Sequence, residues 1–288
     1  MPGRATIKAM GNILDEIVET KKREVAERKA LRSRIELDSL AADASQPRGF
    51  VRALTAPLEG QSASIIAEIK RKSPSAGWIR EEYKPAADGS DSFEPEDIAR
   101  RYHRAGARAI SCLTDEPYFA GKLEYLGRVR DAVPLPVLRK DFLIDPYQVS
   151  ESRAFGADAV LLIAECLSDD RLAELLAIAI ELGMDVLVES HDRENLARSI
   201  ALTRDCPEGR VLLGINNRDL RIMKTDLDHT LRMTADVPDP GLLVSESGIR
   251  TPADLAHLGR AGVRIALVGE HLMAQPDPGA ALSVLLGV

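Results

Sequence analysis

Apolar residues along this chain fall into two alternating rhythms. Short runs rich in Val, Ile and Leu, such as Ser64–Lys70 (SIIAEIK) and Ala159–Ile163 (AVLLI), read as buried strands. Eight strands are predicted, over 64–70, 109–114, 136–140, 159–163, 185–189, 211–216, 242–246 and 265–269. Between them lie stretches with helical spacing, for example Asp97–Ala105, Leu123–Ala132, Pro146–Phe155, Asp169–Leu182 and Pro252–Ala261. Four helices end on Gly106, Gly156, Gly183 or Gly262 just before a strand, the mark of a left-handed C-cap and a short loop. Strand–helix units of this kind imply a parallel sheet covered by helices. Eight of them match the size of a (β/α)8 TIM barrel, although a doubly wound sheet could use the same elements.

The first part of the chain differs. Ile13 to Leu31 is charged and helical, with Ile13, Leu14, Ile17 and Val18 recurring at one-turn spacing and Asn12 as its cap. Two shorter helices are expected around Ile35–Ala42 and Gly49–Leu54. Residues 1–60 are therefore read as a helical extension packing on a barrel of residues 61–288. Glu81–Glu94 (EEYKPAADGSDSFE) is polar and lacks periodicity, and is expected to be a long mobile loop after the first strand.

Composition narrows the functions. A net charge of -7 gives no bulk attraction to nucleic acid or anionic membranes, so any bound anion must be held by a local cluster. Aromatic residues at 4% leave no base-stacking platform. No apolar run approaches the ~20 residues of a membrane helix, and Met1 to Met10 lacks the apolar core of a signal peptide. Cys112, Cys166 and Cys206 form no CxxC pair and read as reduced thiols, and the five histidines show no metal-ligand spacing. GxGxxG and P-loop motifs are absent. A cytoplasmic protein without cofactor or metal is expected, with neither nucleic acid nor membrane as partner.

Barrel active sites lie at the C-terminal strand ends, and this sequence puts unexpected charges there. Glu68 and Lys70 end the first strand two residues apart, on one face. Lys140 ends the third in phase with Leu138, and Glu189 ends the fifth in phase with Leu187. Asn216 ends the sixth, followed by Arg218, and Glu246 ends the seventh. Any one could be solvated or part of a structural ion network. Together, facing inward, they could shift one another's pKa values enough for acid/base chemistry. Ser247 and Gly248 after the seventh strand, and Gly269 and Glu270 after the eighth, occupy the loops in which barrels often bind phosphate. Arg71, Lys72, Ser73 and Ser75 are expected to add donors near the mouth.

These residues stand in motifs that resemble the indole-3-glycerol phosphate synthase family: IAEIKRKSPS (Ile66–Ser75), LTDEPYF (Leu113–Phe119), VLRKDF (Val137–Phe142), GADAVLLI (Gly156–Ile163), GINNRDL (Gly214–Leu220), ESGI (Glu246–Ile249) and VGEHLM (Val268–Met273), with ILDEIVETKKREVAERKA (Ile13–Ala30) before them. The resemblance implies cofactor-free closure of 1-(2-carboxyphenylamino)-1-deoxyribulose 5-phosphate to indole-3-glycerol phosphate, CO2 and water. It implies that Lys140 is the general acid at the substrate ketone, and that Glu189 and Glu68 move protons and stabilise the nitrogen cation. Lys70 would hold the carboxylate or phosphate or act as acid in the dehydration, so the division of labour between the two lysines stays open.

By the same resemblance Asn216 and Glu246 orient hydroxyls, with Arg218 near the carboxylate and Ser73 beside the substrate. Phe119, Phe142 and Leu161 wall the aromatic ring, and main-chain groups of Ser247, Gly248, Gly269 and Glu270 hold the phosphate. Two features depart from the family: the long Glu81–Glu94 stretch, expected to act as a lid, and Trp78, expected to be a packing anchor. Other readings are a different phosphate-binding barrel enzyme, a Schiff-base aldolase using Lys140, and a barrel that binds metabolites without catalysis. A monomer is expected.

Overall fold

The computed structural model describes residues 13–58, 60–219 and 224–288; the expected cap Asn12 lies outside them. Eight parallel strands form a closed barrel: β1 (Ser64–Ile69), β2 (Ala109–Leu113), β3 (Val137–Lys140), β4 (Ala159–Ile163), β5 (Asp185–Ser190), β6 (Val211–Asn216), β7 (Leu243–Glu246) and β8 (Ile265–Val268). Neighbours in the barrel are neighbours in sequence, and β8 pairs with β1 from Ser64–Ile265 to Ala67–Val268. That closure excludes the doubly wound sheet, which keeps two free edges. Every predicted strand is present with each end within one residue of its expected place. Gly106, Gly156, Gly183 and Gly262 all take positive φ, 80° to 93°, as the C-cap reading requires.

Alternation along the strands separates two apolar layers. Ile66, Leu138, Leu161, Leu187, Leu212, Val244 and Leu267 fill the barrel interior. Their neighbours Ile65, Val160, Val186 and Val188 pack outward under the helices. Two residues beyond an inward-facing side chain comes another inward-facing one, so Glu68, Lys140, Glu189 and Glu246 crown the same interior.

Among the described residues three helices precede the barrel: α1 (Ile13–Leu31), α2 (Arg34–Asp43) and α3 (Phe50–Thr55). α3 plugs the N-terminal end, adding Phe50, Val51 and Leu54 to the interior cluster. The Val51 amide donates to Asp185 Oδ2 (2.9 Å) and Ser64 Oγ donates to the Leu54 carbonyl (2.7 Å). α1 lies across the opposite end. It is pinned there by Lys21, 1% exposed, whose ammonium is 2.8 Å from Asp115, 3.0 Å from Asp141 and 2.9 Å from Glu24.

The stretch 81–94 is less loose than its composition suggests. It opens with a 3-10 turn at Glu81–Tyr83, and Tyr83 and Phe93 are buried edge to face at 5.4 Å. Arg71 forks onto both Asp91 oxygens at 2.8 Å and lies 5.4 Å from the Trp78 ring, so Trp78 packs against the anchor of this segment. Arg71 therefore turns away from the mouth, contrary to expectation: its guanidinium is spent on Asp91, the Tyr83 carbonyl and Tyr125.

Candidate active site

A cavity of about 350 Å³ opens at the C-terminal end of the barrel. Its floor is polar. Lys140 Nζ sits 2.7 Å from Glu189 Oε2 and 3.6 Å from Glu246 Oε2, and the other Glu189 oxygen accepts from Asn216 Nδ2 at 3.0 Å. Across the floor Lys70 Nζ lies 2.6 Å from Glu68 Oε1. Gly214 and Gly269 make room for these carboxylates, since a Cβ on Gly214 would collide with Glu246 and one on Gly269 with Glu68.

The electrostatics differ from group to group. Burial alone would strip the Lys140 proton, but Glu189, Glu246 and Glu68 outweigh it and raise its pKa, so it is a firmly held ammonium. Burial likewise disfavours a charged Glu189. Lys140 and His191 prevail there, with the Asn216 hydrogen bond, and bring its carboxyl down to about 2. Glu246 goes the other way: burial and the neighbouring Glu189 push it well above the usual range, and Lys140 offsets only part. One Glu246 oxygen, Oε1, has no hydrogen-bond partner among the described residues. Two carboxyls of opposite proton affinity thus share one ammonium, an arrangement that separates acid from base roles.

The walls are apolar on one side and polar on the other. Phe119 and Phe142 face each other at 6.2 Å, with Leu113, Leu161 and Ile163 beside them. Opposite, Ser247 takes φ of 69°, a conformation sparse for non-glycine residues, and is followed by Gly248 at 86°. Asn217 steadies that turn by donating to the Ser247 carbonyl and to Ser245 Oγ, both at 3.0 Å. Glu270 is neutralised by Arg218 Nη2 at 2.7 Å, and Arg218 also donates to Ser75 at 2.6 Å.

Comparison with known proteins agrees with this geometry. The family model described as indole-3-glycerol phosphate synthase matches residues 14–285. The chain belongs to that family. Curated relatives called indole-3-glycerol phosphate synthase include one from Rhodospirillum rubrum, 47% identical over 279 residues, 96% of this chain and all of that protein. Another, from Rhodopirellula baltica, is 48% identical over 275 residues, covering 95% of this chain and 98% of the relative. Among solved structures, 3-hexulose-6-phosphate synthase from Salmonella typhimurium overlays with a TM-score of 0.58 at 12% identity, covering 78% of this chain and 97% of the other. That likeness bears on the fold alone.

As a member of the indole-3-glycerol phosphate synthase family, the chain has its motif residues brought together. Glu68, Lys70, Ser73, Phe119, Lys140, Phe142, Leu161, Glu189, Asn216, Arg218, Glu246, Ser247, Gly248, Gly269 and Glu270 all line the cavity. The expected lid does not: none of residues 81–94 lines it, and the first loop reaches the mouth through Ser73, Pro74 and Ser75 instead. Sequence reasoning missed Ile13, Leu14 and Ile17, which complete the apolar wall from α1. Their one-turn spacing was a signal for burial but not for what they are buried against. It also missed His191, held behind Glu189, because a lone histidine after a strand carries no pattern.

Proposed function

We propose that this chain closes the indole ring of 1-(2-carboxyphenylamino)-1-deoxyribulose 5-phosphate, releasing CO2 and water. The observation that carries this reading is the Lys140–Glu189–Asn216 cluster set against Phe119, Phe142 and Leu161 in one cavity. An aromatic ring fits the apolar wall, which brings its carbon toward a ketone held at Lys140. The Lys140 ammonium protonates the ketone oxygen as the carbon–carbon bond forms. Glu189 and Glu68 take up protons and stabilise the nitrogen cation that develops, and Asn216 and Glu246 orient the hydroxyls.

Lys70 takes the second acid role or the substrate's anionic groups, with Ser73 and Arg218 beside it. The phosphate lies on the main chain of Ser247, Gly248, Gly269 and Glu270. Glu270 can sit there because Arg218 cancels its charge. Residues 61–288 form the catalytic barrel in this reading and residues 1–60 an N-terminal extension, whose helices α3 and α1 lie at opposite ends of the barrel. The three cysteines are free, in keeping with a cytoplasmic location.

The test is direct. Purified protein mixed with the substrate should develop indole fluorescence. A well-folded protein that gives none contradicts the assignment.

A further inference from the structure

The proposed reaction consumes a proton in every turnover. The substrate carboxylate departs as neutral CO2 and the ketone oxygen departs as water. Charge balance therefore requires uptake of one proton per turnover. Lys140 gives up its N–H proton to the ketone oxygen and must be reloaded before the next turnover.

We propose that this proton enters from behind the barrel mouth, passing from solvent through Glu165 and His191 to Glu189 and Lys140. The inference rests on the reaction proposed above. His191 follows β5 directly and Glu165 lies in the 3-10 turn after β4, and neither lines the cavity. The His191 amide donates to Glu165 Oε1 at 2.7 Å, which keeps that carboxylate beside the ring. Nδ1 of His191 is 3.2 Å from Glu165 Oε2, and Nε2 is 3.5 Å from Glu189 Oε1. Among the described residues both ring nitrogens and Glu165 Oε2 are buried without an aligned hydrogen bond, so the imidazole has contacts in place and bonding capacity unused. Side-chain exposure falls from 17% at Glu165 through 13% at His191 to 3% at Glu189, while Lys140 beyond it meets the cavity.

The groups facing His191 are Glu165, Glu189, the Lys140 charge behind Glu189, and His229, whose ring contacts the His191 carbonyl at 2.8 Å. The flanking carboxylates outweigh burial and raise the His191 pKa, which favours proton capture. In the transfer, Glu165 gives a solvent-derived proton to Nδ1. The imidazolium Nε2–H bond breaks as a proton passes to Glu189 Oε1. Glu189 rotates and hands a proton to the neutral Lys140 amine, and the ring turns over to reset. Only protons move, and each donor is restored by the group outside it.

Rapid mixing separates the first turnover from later ones. In His191→Ala and in Glu165→Gln, which keeps an acceptor for the His191 amide, the first turnover should stay within about twofold of wild type. Later turnovers should slow by at least ~10-fold. Imidazole in the buffer should restore His191→Ala and leave Glu165→Gln slow. Wild-type steady-state rates in both variants would overturn the relay, as would an equal loss in the first turnover without imidazole rescue. Wild-type protein that forms no product at all would instead remove the underlying reaction.

Discussion

Glu189 and Glu246 approach the Lys140 ammonium within 4 Å and end with opposite proton affinities. The difference has a cost that can be measured. A carboxyl whose pKa is raised by folding binds more protons in the folded state, so its contribution to stability falls as pH rises above the ordinary glutamate value. Glu246→Gln removes that penalty. It should raise Tm near neutral pH by about 2–4 °C, the equivalent of ~1 kcal/mol, while kcat falls. The gain should shrink in acid, as Glu246 of the unfolded chain takes up its proton too. Differential scanning calorimetry at pH 4.5 and 7.5, beside a steady-state assay, checks all three statements. Lys140→Ala removes the proposed acid and should lower kcat by ~10²–10⁴ with the fold intact, as circular dichroism can verify.

At the scale of elements, α1 is the part of the molecule whose role was least legible. Its charged repeat announced a helix, and the structure agrees from Ile13 to Leu31. Nothing in the repeat said that Lys21 would be buried on Asp115 and Asp141, which come from the loops after β2 and β3. Those aspartates also accept the amides of Tyr118, Phe119 and Phe142, so one lysine joins the helix to two cavity walls. Lys21→Met leaves the buried Asp115 without a cation and Asp141 with Arg139 alone, and should destabilise the protein by about 3–5 kcal/mol. KM should rise more than kcat falls, because Ile13, Leu14 and Ile17 lose their seat. Denaturant melts and initial rates report the two effects separately. The segment after β1 gives the opposite expectation. Its exposed tip at residues 86–90 is anchored by Arg71–Asp91 and stands clear of the cavity, so shortening the tip should leave kcat and KM unchanged.

For the whole molecule, period-2 alternation carried most of the information. Once Leu138 and Leu187 are placed inside, Lys140 and Glu189 must face the same interior, and the closed barrel bears this out. Contacts that join distant parts of the chain were invisible in that pattern. Arg71 reads as a mouth residue in the motif IAEIKRKSPS, yet Asp91 and Tyr125 draw it into the packing behind. His191 gains meaning only from Glu165, contributed by the loop of the preceding strand.

The central claim is that the Lys140 cluster closes an indole ring, and its most direct measurement is the fluorescence time course of purified protein with the carboxyphenylamino-deoxyribulose phosphate. Indole fluorescence that rises with wild type and at least ~10²-fold more slowly with Lys140→Ala is the predicted result. No rise with folded wild-type protein, or an undiminished rise with Lys140→Ala, would contradict it.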